Sequence, residues 1–209
     1  MAVLITAGAT RNPVDAVRLL TAKSSGRTGV GIARALVARG QSVHLLGSAE
    51  ACLRGPELSQ EEYGSTRDLM ARMERWVRDN PSGHVVHACA VGDYEMASEE
   101  GRKIPSGLDR LVLELVRTPK IADHVRSWGL QGTYVTFKAA GPKTTDADLV
   151  RIAAAQRERT GSTLVFANVL GRLGTRVALV GEQPRWFDER ADAVAALVSV
   201  LSDDAPTSP

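Results

Sequence analysis

The run VLITAGATRNPVDAVRLLTAKSSGRTGVG, residues 3–31, holds a buried strand, a long polar excursion and the opening of a helix. Val3-Leu4-Ile5 is apolar and ends in the small residues Thr6-Ala7-Gly8-Ala9-Thr10. Arg11, Asp15, Arg18 and Lys23 lie in the excursion, and Ser24-Ser25-Gly26 then opens a helical pattern. A strand that feeds a loop, with the loop feeding a helix N-terminus, forms an anion-binding corner. Free backbone N–H groups and the helix dipole both favour negative charge there.

Outward from this corner, Ile32, Leu36 and Val37 share a helical face over 32–39, with Gly40 as its C-cap. Ser42–Gly47 is a short buried strand, and 48–64 is polar and irregular. Thr66–Val77 returns to helical spacing, with Leu69, Met73, Trp76 and Val77 toward the core. Asn80-Pro81-Ser82-Gly83 is a turn. His84–Val91 is small, apolar and uninterrupted, the mark of a central strand. Glu95–Gly107 is a charged loop, and Leu111–Leu115 alternates like a half-exposed strand. Pro119 is placed to open a helix reaching Trp128. Strands follow at Tyr134–Ala140, Leu164–Ala167 and Arg176–Val180, with helices at Asp146–Arg157 and Asp192–Leu201.

Strands alternating with helices predict an α/β, Rossmann-like, doubly wound and mainly parallel sheet with helices on both faces. The expectation is a single nucleotide-binding domain over 1–201, a disordered polar tail over 202–209, and a flap or dimer arm within Glu95–Glu114. Ligands of such sheets bind at strand C-terminal ends. Those ends are Ala7-Gly8-Ala9, Val91-Gly92-Asp93, Ala139-Ala140-Gly141 and Ala167-Asn168.

The 209 residues carry 44% hydrophobic and 24% charged side chains, ordinary for a globular protein. A net charge of +2 argues against nucleic-acid or membrane partners recruited by bulk charge. No run has the length of a membrane span, and the N-terminus lacks a leader pattern. Cys52 and Cys89 have no metal or redox spacing, and the four histidines form no ligand constellation. No metal site is expected, His87 and Cys89 read as core residues, and the expected location is cytoplasmic.

Gly26-Arg27-Thr28-Gly29-Val30-Gly31 with Tyr134 and Lys138 imitates a short-chain dehydrogenase. In that pattern the glycine loop follows the first strand directly, whereas residues 9–23 intervene here. Tyr134 and Lys138 also share a strand-like run, where a spacing of four separates side chains by roughly 13 Å.

Six stretches point elsewhere: LITAGATRNPVDAVRLLTAKSSGRTG, HACAVGDY, RKIPS, VRTPKIADHV, VTFKAAG and LVFAN. Together and in this order they resemble the phosphopantothenate–cysteine ligase (phosphopantothenoylcysteine synthetase) family, in its stand-alone form. The resemblance implies a ligase of coenzyme A biosynthesis. A nucleoside triphosphate activates the carboxylate of 4′-phosphopantothenate as an acyl-nucleotidylate, and cysteine then displaces the nucleoside monophosphate. CTP is slightly favoured over ATP, Mg²⁺ accompanies the nucleotide, and a homodimer is implied, with the arm near Lys103 completing the neighbouring site.

Carried onto this sequence, the resemblance makes Lys103 a phosphate-contacting cation; in the excursion one or both of Arg11 and Arg18 offer a fork of donors suited to a substrate phosphate, and Lys103 and Arg18 are the expected catalytic cations. Gly8, Ala9, Ser24, Ser25, Gly26, Ala90 and Asp93 would contact the nucleotide. So would Thr118, Pro119, Lys120 and Ile121, with Phe137 and Lys138 holding the base, Arg159 a phosphate, and Asn168 a ligand.

Four positions depart from the family pattern. Ala22 stands where the family has an asparagine serving the transfer to cysteine, and losing one such donor typically costs about 10²–10³ in rate. Pro105 and Ala155 stand where lysines are usual, and Val169 replaces an aspartate. Adjacent side chains of an extended loop point oppositely, so Lys23 is not expected to replace the missing donor. The alternatives are therefore a diverged paralogue acting on another phosphorylated or phosphonate compound, or a catalytically silent nucleotide-binding subunit.

Overall fold

A computed structural model describes residues 1–98 and 101–203. The chain begins β1 (Ala2–Ala7), β2 (Arg11–Pro13), β3 (Leu19–Thr21), α1 (Arg27–Val37), β4 (Ser42–Gly47) and α2 (Ala49–Arg54). It continues β5 (Gln60–Glu62), α3 (Thr66–Asp79), β6 (His84–His87), β7 (Tyr94–Met96), β8 (Leu115–Arg117) and α4 (Ile121–His124). It ends β9 (Tyr134–Ala140), α5 (Asp146–Thr160), β10 (Leu164–Val169), β11 (Thr175–Val180), β12 (Pro184–Glu189) and α6 (Arg190–Asp203).

Eight strands form one sheet in the order β12-β11-β10-β9-β6-β1-β4-β5. Pairing is parallel from β5 to β10 and antiparallel across β10–β11 and β11–β12. Strand β1 is apolar without alternation because both of its faces are covered. Val3, Ile5 and Ala7 pack with Val30, Ile32 and Leu36 of α1 and with Leu197 and Leu201 of α6. Leu4 points the other way, to Leu69, Met73 and Val77 of α3. Further along that face, Leu149 and Ala153 of α5 cover Val165 and Ala167 of β10.

The chain winds from β1 to β4 and β5, then crosses back to β6 on the other side of β1. The carboxyl ends of β1 and β6 thus flank the switch point, where the connecting loops diverge and leave a crevice. Two hairpins overhang it. Strands β2 and β3 pair within the excursion after β1, and β7 and β8 pair within the excursion after β6. Asn12 joins them, its Nδ2 donating to the Tyr94 carbonyl (2.8 Å) while its Oδ1 accepts from the Thr66 N–H (2.9 Å).

The doubly wound sheet agrees with the sequence, and β4 and β9 have the expected bounds. Several elements differ. The stretch 48–64 contains α2, capped by the Ser48 side chain, and the polar edge strand β5. The hairpin strand lies at Leu115–Arg117 instead of 111–115, because its partner is Tyr94–Met96 in the segment read as loop. Helix α4 is Ile121–His124 only, with Lys120 as N-cap, so Pro119 precedes the helix instead of opening it. Helix α1 opens at Arg27, directly after Ser24-Ser25-Gly26 as expected, but its C-cap is Ala38, although Gly40 does take a left-handed φ of 77° just beyond. The edge strand β12 was hidden by its proline and charges. Helix α6 extends through Asp203, so Ser202 and Asp203 are helical and not tail, and the remainder of the expected tail lies outside the described residues.

Candidate functional site

Two glycines bring the end of β1 against the start of α1. Gly8 has φ 93°, and a Cβ there would stand 2.7 Å from Ser48 Cβ. Gly26 has φ 74°, and a Cβ would lie 2.6 Å from Ala51 Cβ and 3.0 Å from the Gly8 nitrogen. Only glycine adopts this backbone at such close approach without strain. Gly26 is the N-cap of α1, and no side chain caps the helix. Its first N–H groups therefore face the crevice with the positive end of the helix dipole behind them.

Three cavities meet here. The first, 430 Å³, is bordered by Ala9, Arg11, Ala22, Lys23, Ser24, Ser25 and Glu50 among others. The second, 420 Å³, is bordered by Lys23 to Gly29, Ala88, Ala90, Phe137, Ala139, Asn168, Leu170, Leu173 and Arg190. Its border holds three cations, Lys23, Arg27 and Arg190, and no carboxylate. The third, 300 Å³, lies toward α4 and α5 and includes Asp93, Pro119, Lys120, Ile121, Phe137, Lys138, Gln156 and Arg159. Phe137 and Ala139 border both the second and the third.

Most of the residues expected at the site therefore converge. Ala9, Ser24 and Ser25 border the first cavity, Gly26, Ala90 and Asn168 the second, and Asp93, Pro119, Lys120, Ile121, Lys138 and Arg159 the third. Gly8 sits behind them, its carbonyl accepting from the Ala90 N–H at 2.8 Å. In the third cavity Lys120 Nζ meets Asp93 Oδ1 at 2.5 Å, and Arg159 pairs with Asp123. Ile121 supplies backbone there, since its side chain is in the core. Both Ala22 and Lys23 border the first cavity, so opposite-facing neighbours do not remove Lys23 from it.

Three expected residues are placed differently. Thr118 is buried, donating from Oγ1 to the Gly92 carbonyl (2.6 Å) and from its N–H to the Asp93 carbonyl (3.0 Å), so it shapes the turn carrying Asp93. Arg18 pairs with Asp15 and donates to the Ile104 carbonyl at 3.2 Å. Lys103 is exposed and borders none of these three cavities, but its neighbour Ile104 donates to Asp15 Oδ2 at 3.0 Å. Burial would raise the Asp15 carboxyl. The N–H groups of Val17, Ile104 and Arg18 and the Arg18 guanidinium outweigh burial and hold it at about 2. The carboxylate thus ties the first hairpin to the arm.

Two residues were not anticipated. Gln156 Nε2 donates to Thr136 Oγ1 (3.0 Å) and to the Phe137 carbonyl (3.2 Å), which steadies the strand end under the third cavity. Arg190, the first residue of α6, donates from Nη2 to Thr28 Oγ1 (3.0 Å) and from Nη1 to the Leu173 carbonyl (3.0 Å). With its amide oriented to suit both neighbours, Asn168 accepts from Arg190 Nη1 (2.8 Å) and donates to the Lys138 carbonyl (3.1 Å). No local pattern marked either residue, because each acts across elements.

The dehydrogenase arrangement is absent. Tyr134 is fully buried and donates to the Ala122 carbonyl at 3.1 Å, and burial pushes its phenol up, whereas Lys138 borders the third cavity. His87 Nδ1 lies 3.1 Å from Thr6 Oγ1 and 3.8 Å from Cys89 Sγ. Burial pushes the imidazole down to about 4 and the thiol up to about 11, so at neutral pH neither is charged and they form no nucleophile–base pair.

The family described as the DNA/pantothenate metabolism flavoprotein C-terminal domain matches residues 1–186. The coenzyme A biosynthesis bifunctional protein CoaBC of Thermococcus kodakarensis is 37% identical over 182 residues, 86% of this chain and 44% of that protein. Its counterpart in Mycolicibacterium smegmatis is 31% identical over 175 residues, 80% of this chain and 42% of that protein. The chain thus spans less than half the length of these curated relatives. Among solved structures, the DNA/pantothenate metabolism flavoprotein from Streptococcus pneumoniae has a TM-score of 0.86 at 27% identity, covering 97% of this chain and 99% of that one.

Proposed function

The chain belongs to the DNA/pantothenate metabolism flavoprotein C-terminal domain family, and from that premise we propose that it joins 4′-phosphopantothenate to cysteine at the expense of a nucleoside triphosphate. The observation that carries this reading is the second cavity, where an uncapped helix N-terminus and three cations face a space bordered by no carboxylate. Such a space suits a chain of phosphates. It opens beside Phe137, Asp93, Lys120 and Lys138, where a base and ribose would lie.

In this reaction the substrate carboxylate attacks the α-phosphorus and pyrophosphate leaves. The cysteine amine then attacks the activated acyl carbon and nucleoside monophosphate leaves. The protein's residues position and neutralise charge. Ser24, Ser25 and the α1 N-terminus hold the phosphates, Gly8 and Ala9 let them approach the backbone, and the arm carrying Lys103 completes the site of a second copy. CTP is favoured over ATP. Among the described residues no group of three or more His, Cys, Asp or Glu could hold a metal, so Mg²⁺ would be held chiefly by phosphate oxygens. The relatives named for coenzyme A biosynthesis support the substrate class. Leu108, Leu111, Val112, Leu113, Leu115 and Val116 leave the arm with an exposed apolar surface. A second copy of the chain covering it would form a homodimer.

The test is direct. The protein is incubated with phosphopantothenate, Mg²⁺ and CTP or ATP, with and without cysteine, and the products are identified by mass spectrometry. The expected result is pyrophosphate and nucleoside monophosphate release that depends on phosphopantothenate, with amide product only when cysteine is present. Absence of nucleotide binding and of pyrophosphate release overturns it. A second reading rests on Ala22, whose methyl borders the first cavity without a hydrogen-bonding group. In that reading activation proceeds and transfer to cysteine does not, and Ala22→Asn brings in the amide product.

A further inference from the structure

We propose that Arg190 is a phosphate-binding residue of the second cavity, receiving either the polyphosphate of the nucleotide or the phosphate of the acid substrate. The inference rests on the reading above and extends it to a residue beyond the family-matched segment 1–186. Arg190 borders the cavity and is half-buried against the Phe166 ring, its guanidinium carbon 5.0 Å from the centroid. All three of its hydrogen-bond acceptors, Thr28 Oγ1, the Leu173 carbonyl and Asn168, are neutral. Among the described residues no carboxylate pairs with it, whereas the part-buried Arg18, Arg54, Arg72 and Arg176 each have an acidic partner. A half-buried cation without a counter-charge is costly to maintain, and an anion bound beside it offsets that cost.

The guanidinium also retains donors. Its Nη1 hydrogens serve Leu173 and Asn168 and one Nη2 hydrogen serves Thr28, leaving one Nη2 hydrogen and the Nε hydrogen. In a guanidinium the Nε hydrogen and one Nη2 hydrogen share an edge of a rigid fork whose spacing matches two oxygens of a phosphate. The held part of the fork meanwhile draws together Thr28 at the α1 N-terminus, Asn168 at the end of β10 and the loop carrying Leu173. One residue thus supplies charge and fixes the walls around it.

The experiment compares the full chain with Arg190→Met and Arg190→Lys by titration calorimetry against CTP with Mg²⁺, CMP, and 4′-phosphopantothenate. Methionine keeps the contact with Phe166 and removes the charge. If the polyphosphate is the occupant, Arg190→Met weakens CTP about tenfold or more while CMP changes less than threefold. If the acid's phosphate is the occupant, the loss falls on phosphopantothenate. Arg190→Lys, with the charge but not the fork, recovers part of the lost affinity, a recovery that a merely structural role would not produce. The salt dependence of the affected ligand is also shallower in Arg190→Met. Should Arg190→Met not fold, the lysine variant, which cannot keep all three contacts, carries the same comparison. Unchanged affinity for all three ligands in a folded variant overturns the proposal. Should the unaltered protein bind none of the three ligands, the reading of the preceding section fails and this one with it.

Discussion

Asp15 shows how one carboxylate can organise distant backbone. Its side chain is fully buried and accepts from Val17, Arg18 and Ile104. The fold holds it at about 2 against an ordinary 3.8, so its contribution is complete above about pH 4 and is lost as the pH falls toward 2. Asp15→Asn is expected to flatten that part of the stability-against-pH curve, measured by denaturant unfolding, and to speed hydrogen exchange at the Ile104 amide at neutral pH. An unchanged curve and unchanged exchange would separate the carboxylate from the arm. Gly8 works differently, through lack of a side chain. Gly8→Ala meets both the Ser48 side chain and a φ of 93°, and a loss of more than about 1 kcal/mol is expected in the same measurement. Adding Ser48→Gly relieves the clash but not the backbone, so recovery is partial.

At the scale of elements, the two hairpins over the crevice belong together. Asn12 ties β2 to the start of α3 and to β7, and Arg67 of α3 reaches Glu95 of β7 at 2.5 Å. Arg67 is exposed to solvent, which weakens its pair with the more buried Glu95, whereas Asn12 is buried and both of its bonds go to backbone. Asn12→Ala leaves the Tyr94 carbonyl and the Thr66 N–H without that partner, at an expected cost of about 1–3 kcal/mol. Hydrogen exchange by mass spectrometry is expected to show faster exchange at Thr66 and at residues 14–18, with the sheet around β1 unchanged. Uniform loss of protection would mean that the hairpins are not a separable unit. None of these pairings was readable locally. RNP and QEE lack an apolar period, and a strand of three residues declares itself only beside its partner. The period-2 run at 111–115 joins the hairpin only at its end, where Leu115 pairs with Met96 and the Glu114 carbonyl accepts from the Ala97 N–H (3.0 Å).

For the whole molecule, the winding order places the ends of β1 and β6 side by side, and the site follows from that. Helix α6 returns from the far edge of the sheet to pack against α1, which carries Arg190 to the helix start where phosphates are proposed to bind. The arm is the part the single chain leaves uncovered. Val112 is 73% exposed, and the proposed pairing of two copies would cover it. Val112→Asp is expected to shift the sedimentation of the protein from dimer to monomer and to reduce ligase turnover, while leaving the melting of the sheet nearly unchanged. A monomer in both proteins would remove the pairing.

The corner between β1 and α1 was legible in the amino-acid order because it is local. An apolar run needs both faces covered, small residues end it, and Ser24-Ser25-Gly26 precede a helix whatever surrounds them. The same locality excluded the dehydrogenase pattern, through the excursion at 9–23 and the strand carrying Tyr134 and Lys138. Partners far apart along the chain were not legible. Asp15 and Ile104 are 89 residues apart and Thr28 and Arg190 are 162 apart, and each pair meets only once the sheet order and helix packing are set. Arg18 had the right chemistry for a phosphate and a nearer carboxylate, whereas Arg190 had no signal in its own neighbourhood and none of its partners there. Periodicity and turn chemistry act over a few residues, but the pairing of a charge depends on which distant groups share its low-dielectric surroundings, and only folding brings those together.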